Sequence, residues 1–265
     1  MSKTILITGA TDGIGLRTAK TLAELGHTIL LHGRSQTKLD AAAAELGGSV
    51  ETYLADLAHM AEVQKLAADV IARHDHLDVL INNAGVYKTP NPTTAQGVDL
   101  RFMVNTFAPY VLTNSLRLII PSNGRIVNLS SAAQAPIDAN AMAGRATLGD
   151  FAAYAQSKLA LIIWTRAFAR YYPKGPVAVA VNPGSLLASK MVKEGFGVAG
   201  NDLQIGADIL TAAATGDAFA NASGKYFDND AGQFDDPHPA ALDPAHCDLV
   251  MRTLEKTTTT LLGKP

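Results

Sequence analysis

Short apolar runs alternate with longer helical segments along most of this chain. The runs predicted to be strands are Thr4 to Thr8, Thr28 to Leu31, Val50 to Leu54, Val79 to Ile81, Arg125 to Leu129 and Val177 to Val181. The segments predicted to be helices are Ile14 to Leu25, Lys38 to Leu46, Glu62 to Arg73, Gly97 to Ile120 and Ala152 to Tyr172. This alternation predicts a parallel sheet joined by right-handed crossovers. Because the strands are almost wholly apolar, we expect an α/β Rossmann-type, doubly wound sheet with helices on both faces.

The composition favours one globular domain over residues 1–265. Hydrophobic residues make up 48% of the chain and aromatic residues only 6%, so the core should be aliphatic. The formal net charge is -2, without the basic stripe that nucleic acid would require. The first strand begins close to Met1, and no apolar stretch approaches the length of a membrane span. We therefore expect a cytoplasmic protein with no nucleic-acid partner and no membrane insertion.

The sequence predicts no metal site. Cys247 is the only cysteine, which excludes an intrachain disulfide and a thiolate cluster. The nearest approach to a ligand cluster consists of His238, His246, Asp235, Asp236 and Asp243. These residues lie in a Pro-rich stretch, and we interpret them as solvated loop residues.

Two segments interrupt the alternation. Residues 132–150 are rich in Ala, Gly and polar residues, and they separate the fifth strand from a long helix. Residues 201–265 carry repeated proline punctuation, which predicts a loop before a final short helix.

A glycine-rich sequence, Thr8-Gly9-Ala10-Thr11-Asp12-Gly13-Ile14-Gly15, joins the first strand to the first helix. Backbone N–H groups and the helix dipole at such a junction attract a pyrophosphate. The predicted nucleotide-binding residues are Gly9, Thr11, Asp12, Gly13, Ile14 and Gly15. The Gly-x-x-x-Gly-x-Gly spacing departs from the Gly-x-Gly-x-x-Gly fingerprint, so a plain β-to-α turn remains an alternative.

The end of the second strand indicates a preference for NADPH. A carboxylate here would bind the ribose 2′-hydroxyl of NADH, but the sequence reads His32-Gly33-Arg34. The Arg34 guanidinium suits a 2′-phosphate, although it could also be a solvated loop charge. After the third strand, Asp56 and the adjacent Leu57 are predicted to contact the adenine, and capping of the next helix is the alternative role for Asp56.

Tyr154 and Lys158 are four residues apart in a predicted helix and therefore share one face. An ammonium group near a phenol lowers its pKa and lets it exchange protons nearer neutral pH. Alone, this spacing is also typical of an ordinary surface pair.

The order of these motifs resembles the short-chain dehydrogenase/reductase family over residues 3 to about 190. The elements that carry the resemblance are the glycine-rich sequence, Asn82-Asn83-Ala84-Gly85, Asn105, Ser131, Tyr154 and Lys158. The resemblance implies that Tyr154 is the general acid in reduction and that Ser131 holds the substrate oxygen. It further implies that Lys158 binds the nicotinamide ribose and lowers the pKa of Tyr154, and that Asn105 holds a water molecule in a proton relay.

The resemblance implies further cofactor contacts at the ends of two strands. Asn83, Ala84 and Gly85 would line the adenosine side, and Pro183 with Gly184 would cradle the nicotinamide. Where the family places a threonine after this glycine, the chain has Ala188 followed by Ser189, so Ser189 is the predicted contact. Ser130 precedes Ser131 directly and is the alternative catalytic serine.

The long spacing between Ser131 and Tyr154 resembles the branch of retinol dehydrogenases and WW-domain oxidoreductases. It implies an oxidoreductase that transfers hydride between NADPH or NADP+ and a bulky, apolar carbonyl compound or secondary alcohol, with NADH less favoured. Residues 132–153 and 185–240 would shape the substrate pocket. By the same analogy we expect a homodimer or homotetramer. A non-catalytic NADP-binding redox sensor and a nucleotide-sugar epimerase or dehydratase are the alternatives.

Overall fold

An eight-stranded sheet forms the centre of the protein in the computed structural model, which describes residues 2–188 and 199–263. The strands are β1 (Thr4–Ile7), β2 (Thr28–Gly33), β3 (Val50–Leu54), β4 (Val79–Asn82), β5 (Arg125–Leu129), β6 (Val177–Asn182), β7 (Tyr226–Asp228) and β8 (Gln233–Asp235). Their order in the sheet is β3-β2-β1-β4-β5-β6-β7-β8, and only the pairing of β7 with β8 is antiparallel. The strand order reverses between β1 and β4, which is where doubly wound folds bind ligands.

Helices cover both faces of this sheet. They are α1 (Gly13–Glu24), α2 (Gln36–Leu46), α3 (Met60–Arg73), α4 (Leu100–Phe102), α5 (Ala108–Leu116), α6 (Ala139–Met142), α7 (Asp150–Tyr171), α8 (Leu203–Thr215) and α9 (Pro244–Leu261). One core layer lies beneath α1, α2 and α8, and a larger layer lies beneath α3, α5, α7 and α9. The α/β Rossmann-type fold predicted from the sequence is confirmed.

The predicted helix over Gly97 to Ile120 is wrong in its bounds and in its uniformity. Regular helix begins only at Leu100, because the Asp99 carboxylate caps the Arg101 N–H group, and α5 ends at Leu116. Between α4 and α5, the residues Met103–Phe107 form a π-helical turn. Such turns are rare in proteins and frequently occur at functional sites.

The prediction of a loop before a final short helix over residues 201–265 is also wrong. The described part of this region contains α8, the β7–β8 hairpin and the 18-residue helix α9. The proline punctuation marks helix starts instead of irregular chain: Pro244 is the first residue of α9, and the Asp243 side chain caps this helix.

Helix α9 packs across α7 and approaches α5. Its residues Val250 and Leu254 belong to the same buried core layer as Trp164 of α7. Burial, assisted by the nearby charge of Glu255 on α9, raises the pKa of Tyr110 on α5 to about 12. The faces of α5 and α7 at this contact are thus partly covered by α9.

Within residues 2–188 and 199–263, no helix combines the length and the apolar composition needed to cross a membrane.

Candidate active site

Tyr154, Ser131 and Lys158 meet where α7 passes the carboxyl end of β5. The side chains of Tyr154 and Ser131 share a hydrogen bond. The Oγ atom of Ser131 also accepts a hydrogen bond from the Ala133 N–H group, at 3.1 Å, which fixes the hydroxyl. One turn along α7, the Nζ atom of Lys158 lies 5.7 Å from the centre of the Tyr154 ring. The residues that the sequence predicts to be catalytic therefore converge in space.

Lys158 is almost fully buried and is held by the end of β5. Its Nζ atom donates a hydrogen bond to the Leu129 carbonyl oxygen at 2.7 Å. Burial disfavours the charged ammonium and lowers the pKa of Lys158 to about 8. The lysine is consequently close to its titration point at mildly alkaline pH.

The direction of the Tyr154 pKa differs from the sequence-based expectation. Burial raises the pKa of Tyr154; the hydrogen bond from Ser131 opposes this shift, and the neighbouring Tyr87 adds to it. The lowering expected from Lys158 is not found, and burial dominates because the phenolate would be formed in a desolvated place.

The two adjacent serines face different partners. Ser130 donates a hydrogen bond to the Lys158 carbonyl oxygen, at 3.3 Å, and is buried. Ser131 bonds to the Tyr154 side chain instead. Of the two hydroxyl groups, only that of Ser131 is placed to act together with the phenol.

Asn105 lies in the π-helical turn between α4 and α5, and its side chain is fully engaged with protein. It accepts from the Val86 N–H group at 2.8 Å, and it donates to the Val86 carbonyl at 3.0 Å and to Ser157 Oγ at 2.9 Å. The amide thus joins the segment after β4 to α7. A water molecule in a relay would have to use the Asn105 backbone carbonyl, since the side chain is occupied.

The glycine loop, residues 8–15, packs tightly against the segment after β4. Asn83 donates hydrogen bonds to the carbonyl oxygens of Thr8 at 2.8 Å and Gly9 at 3.0 Å. A Cβ atom on the buried Gly15 would lie 2.4 Å from Asn83 Nδ2 and 2.5 Å from the Gly9 carbonyl oxygen. Only glycine lets α1 begin so close to this loop, so its N-terminus is exposed to a ligand at the strand-order reversal.

Other predicted residues complete this loop. Gly13 and Ile14 begin α1, and Asp12 caps the helix by accepting a hydrogen bond from the Gly13 N–H group at 2.8 Å. Ala84 donates its N–H group to Thr8 Oγ1 at 3.1 Å, and Gly85 follows it. The cradle fits a dinucleotide pyrophosphate, which backbone N–H groups at a helix N-terminus would hold.

The end of β2 has no space for the carboxylate typical of NAD sites. A Cβ atom at Gly33 would lie 2.5 Å from Thr11 Cγ2. The next residue, Arg34, is exposed. Lys38 on α2 lies 3.5 Å from the Asp12 carboxylate and places a second cation beside the glycine loop. The sequence analysis did not assign Lys38, although a second basic residue shortly after Arg34 was a visible signal.

His32 is a second residue that the sequence analysis did not assign. Its Nδ1 atom accepts a hydrogen bond from the Gly9 N–H group at 3.1 Å, and its Nε2 atom donates to the Ala55 carbonyl at 3.0 Å. Burial lowers the pKa of His32 to about 4, so the imidazole is neutral near neutral pH. A histidine within an apolar strand, just before Gly33, was the available signal.

The residues directly after β3 make contacts within the protein itself. One carboxylate oxygen of Asp56 accepts from the Ala58 N–H group at 2.9 Å. This bond closes a turn before α3, whose cap residue is His59, so Asp56 does not cap that helix. Leu57 is buried in the larger core layer, so a cofactor contact from it is restricted to its backbone.

The loop after β6 is fastened to the β7–β8 hairpin. Asp230 accepts hydrogen bonds from the Ser185 N–H group at 2.8 Å, from Ser185 Oγ at 2.6 Å and from Asn182 Nδ2 at 2.9 Å. Asn229 donates to the Pro183 carbonyl at 2.9 Å. These bonds form a latch between the loop and the hairpin, and Gly184 lies within the bonded part of the loop. Ser189 lies outside the described residues. No local pattern indicates this latch, because the hairpin is distant from the loop along the chain.

Two long-range contacts hold the segment before α7. The Ile137 N–H group donates to His246 Nε2 at 3.2 Å, and the Asp138 N–H group donates to Gln156 Oε1 at 2.9 Å. Among the described residues, no group of three or more His, Cys, Asp or Glu side chains is arranged to hold a metal ion.

Comparison with known proteins identifies the family. Residues 3–196 match the model of the short chain dehydrogenases. The chain is 33% identical to human retinol dehydrogenase 13 over 256 residues, covering 84% of this chain and 75% of the relative. It is also 29% identical to the short-chain dehydrogenase chry4 of Gibberella zeae, covering 98% of this chain and 99% of that protein.

Solved structures agree with this assignment. A protein of Mycobacterium paratuberculosis superposes with a TM-score of 0.80 at 27% identity, covering 97% of this chain and 93% of the other. A metagenomic blue fluorescent protein, solved in complex with NADPH, superposes with a TM-score of 0.69 at 25% identity, covering 85% and 95% of the two chains. The chain belongs to the short-chain dehydrogenase family, in its retinol dehydrogenase-like branch. It is accordingly a nicotinamide-dependent oxidoreductase.

Proposed function

We propose that the protein is an NADPH-preferring reductase that interconverts a bulky, apolar carbonyl compound and its alcohol. The observation that carries this proposal is the hydrogen bond between Ser131 and Tyr154 beside the buried Lys158. A bound nicotinamide would supply the hydride, and these side chains would manage the oxygen and the proton.

In the reducing direction, the Ser131 hydroxyl donates a hydrogen bond to the substrate carbonyl oxygen. Negative charge develops on that oxygen as hydride reaches the carbon, and a donor already in position stabilises it. Tyr154 then transfers its phenolic proton to the oxygen as general acid. The raised pKa of Tyr154 suits the acid role, because the phenol remains protonated near neutral pH.

Lys158 would hold the ribose of the cofactor beside the proton donor Tyr154. Its bond to the Leu129 carbonyl directs the ammonium toward the end of β5. We propose that Asn105 supports proton return through its backbone carbonyl and a water molecule, since its side chain is committed to Val86 and Ser157.

The cofactor preference rests on Arg34 and Lys38. Gly33 carries no carboxylate that would repel a phosphate, Arg34 follows it directly, and Lys38 lies beside the glycine loop. The pyrophosphate would lie on Gly9, Thr11, Asp12, Gly13, Ile14 and Gly15, with Asn83, Ala84 and Gly85 supporting the adenosine side. The relative solved with NADPH is consistent with this preference.

An apolar substrate is supported by the relatives and by exposed side chains. The curated relatives include a retinol dehydrogenase and a polyprenol dehydrogenase. In the two segments proposed to line the pocket, 132–153 and 185–240, Phe151 is 55% exposed and Leu186 is 47% exposed. Pro183 and Gly184 would contact the nicotinamide between these two segments.

The paired serines provide a matched test of this mechanism. In Ser131→Ala, kcat for reduction of retinaldehyde with NADPH should fall about a hundredfold, because an oxygen-binding donor is lost. Ser130→Ala should retain most of the activity, since that hydroxyl bonds only to a helix carbonyl. Equal losses in the two variants would contradict the role of Ser131.

The remaining expectations concern assembly and location. We propose self-association through a surface other than the part of α7 that α9 covers, and light scattering of the purified protein tests it. A cytoplasmic location also remains a proposal, which subcellular fractionation would test.

A further inference from the structure

We propose that Arg101 and Asp150 act as positioning residues that hold the helix carrying Tyr154 in its reactive register. This proposal rests on the proposed function, because it gives both residues the task of placing the proton donor.

Arg101 is a buried cation that donates four hydrogen bonds to three residues at one junction of the fold. Its side chain is 1% exposed. It donates from Nε to Asp99 Oδ1 at 2.8 Å and from Nη2 to Asp99 Oδ2 at 2.6 Å. Its Nη1 atom donates to Asp150 Oδ1 at 2.5 Å and to the Tyr87 carbonyl oxygen at 3.4 Å. One guanidinium thus joins α4, the segment after β4 and the first residue of α7.

The two residues of this ion pair lie one helical turn before Asn105 and Tyr154, which both have proposed catalytic roles. Arg101 precedes Asn105 by four residues, and Asp150 precedes Tyr154 by four residues. A second polar tie follows, where Asn105 donates to Ser157 Oγ at 2.9 Å. Tyr154 therefore lies on a stretch of α7 that is fastened at both ends to the same neighbouring helix.

Arg101 also fixes the ring that packs against Tyr154. The Tyr87 ring meets the Tyr154 ring edge-on, with 5.2 Å between centroids. Arg101 binds the Tyr87 carbonyl, so the cation restrains Tyr154 from two directions, through α7 and through this aromatic neighbour.

An apolar side chain could fill the same volume without the cost of desolvating a guanidinium. The ion pairs provide directional bonds that fix the register of two packed elements. Displacement of a reacting group by about 1 Å can reduce a rate by about a hundredfold. A small shift of α7 would therefore affect the proton transfer more than it affects folding.

Asp150 offers the cleaner variant, because its side chain is 46% exposed and Arg101 stays paired with Asp99 when Asp150 is changed. We would compare the wild type with Asp150→Asn, Asp150→Glu and the control Asp69→Asn, which breaks the exposed pair between Lys65 and Asp69 on α3. The readouts are kcat and KM for retinaldehyde with NADPH, and amide hydrogen exchange of residues 150–158.

In Asp150→Asn we expect kcat to fall about tenfold while both KM values stay within about twofold, because substrate binding is retained and proton transfer is impaired. Exchange of residues 150–158 should accelerate, Asp150→Glu should recover most of kcat, and Asp69→Asn should match the wild type. Wild-type kcat and exchange in Asp150→Asn would overturn the proposal, as would a loss in kcat that Asp150→Glu fails to recover.

A failure of the proposed function can be distinguished from a failure of this positioning role. Were Tyr154→Phe as active as the wild type, or were the wild type inactive on retinaldehyde, the mechanism would lose its support. Hydrogen exchange would still report whether Asp150 holds the first turns of α7. Unchanged exchange in Asp150→Asn would by itself overturn the positioning role of Arg101 and Asp150.

Discussion

The imidazole of His32 accepts a hydrogen bond from the backbone N–H group of Gly9, so the end of β2 holds the start of the glycine loop. The other ring nitrogen donates to the Ala55 carbonyl oxygen. The contact with Gly9 requires the neutral ring, because a protonated Nδ1 would place an N–H group against the Gly9 N–H group.

Stability should fall as pH decreases through the titration of His32. Burial lowers its pKa from 6.5 to about 4, so between these values the unfolded chain binds the proton more readily. The stabilisation is complete above pH 6.5 and is lost toward pH 4, by up to about 3 kcal/mol. Urea unfolding at several pH values should show this slope in the wild type and in the exposed control His59→Leu, and a smaller slope in His32→Leu.

His32→Leu should also weaken cofactor binding, because the Gly9 N–H group loses its acceptor. The loss of one such bond raises the Kd for NADPH about fivefold. Fluorescence titration at pH 7.5 measures it. An unchanged Kd would show that the glycine loop keeps its shape without the imidazole.

We expect the buried Lys158 to lower the stability of the protein and to be required for its activity. Burial lowers its pKa from 10.5 to about 8, so the folded protein resists charging of this residue. Stability contributed by the neutral lysine should rise from pH 8 to pH 10.5, by up to about 3 kcal/mol. We expect Lys158→Met to have a higher Tm than the wild type at pH 7, to lose this rise and to be inactive. A lower Tm in Lys158→Met than in the exposed control Lys174→Met would contradict the account.

Arg34 should set the preference for NADPH. A charge-assisted bond to the 2′-phosphate is lost in Arg34→Ala, which should raise the Kd for NADPH about tenfold and leave that for NADH within about twofold. Lys38→Ala should act in the same direction, and the exposed Arg17→Ala serves as the control. Equal weakening toward both cofactors would exclude a specific role for Arg34.

We expect Asp230 to contribute more to cofactor affinity than to the stability of the fold. Asp230→Ala removes three bonds to Asn182 and Ser185, which frees the loop around Gly184. We expect the Kd for NADPH to rise about fivefold, with a Tm close to that of the exposed control Asp236→Ala. The latch would be refuted by identical cofactor affinity in these two variants.

Local patterns in the sequence were sufficient for the first six strands and for the helices α1, α2, α3 and α7. The apolar runs and the helical periodicity that predict them are properties of adjacent residues. Strands β7 and β8 have three residues each and form only by pairing with the edge strand β6 and with each other. No local signal distinguishes such strands from a loop, and the π-helical turn at Asn105 is likewise concealed within a helical pattern.

The candidate site divides in the same way. Tyr154 and Lys158 are neighbours on one helix, so their spacing placed them together, and the resemblance added Ser131 and Asn105. The bonds of His32, Asp230 and Arg101 join segments far apart in the chain. Arg101 gave one hint, as a charged residue beside the apolar Leu100, Phe102 and Met103.

The most direct test of the central claim is single-turnover reduction of retinaldehyde by NADPH bound to Tyr154→Phe. The variant keeps the ring that packs against Tyr87 and loses only the hydroxyl, so NADPH binding should equal that of the wild type. We predict that the rate constant falls at least about a hundredfold, because the proton donor is absent. A rate constant near that of the wild type would contradict the assignment of Tyr154 as the general acid.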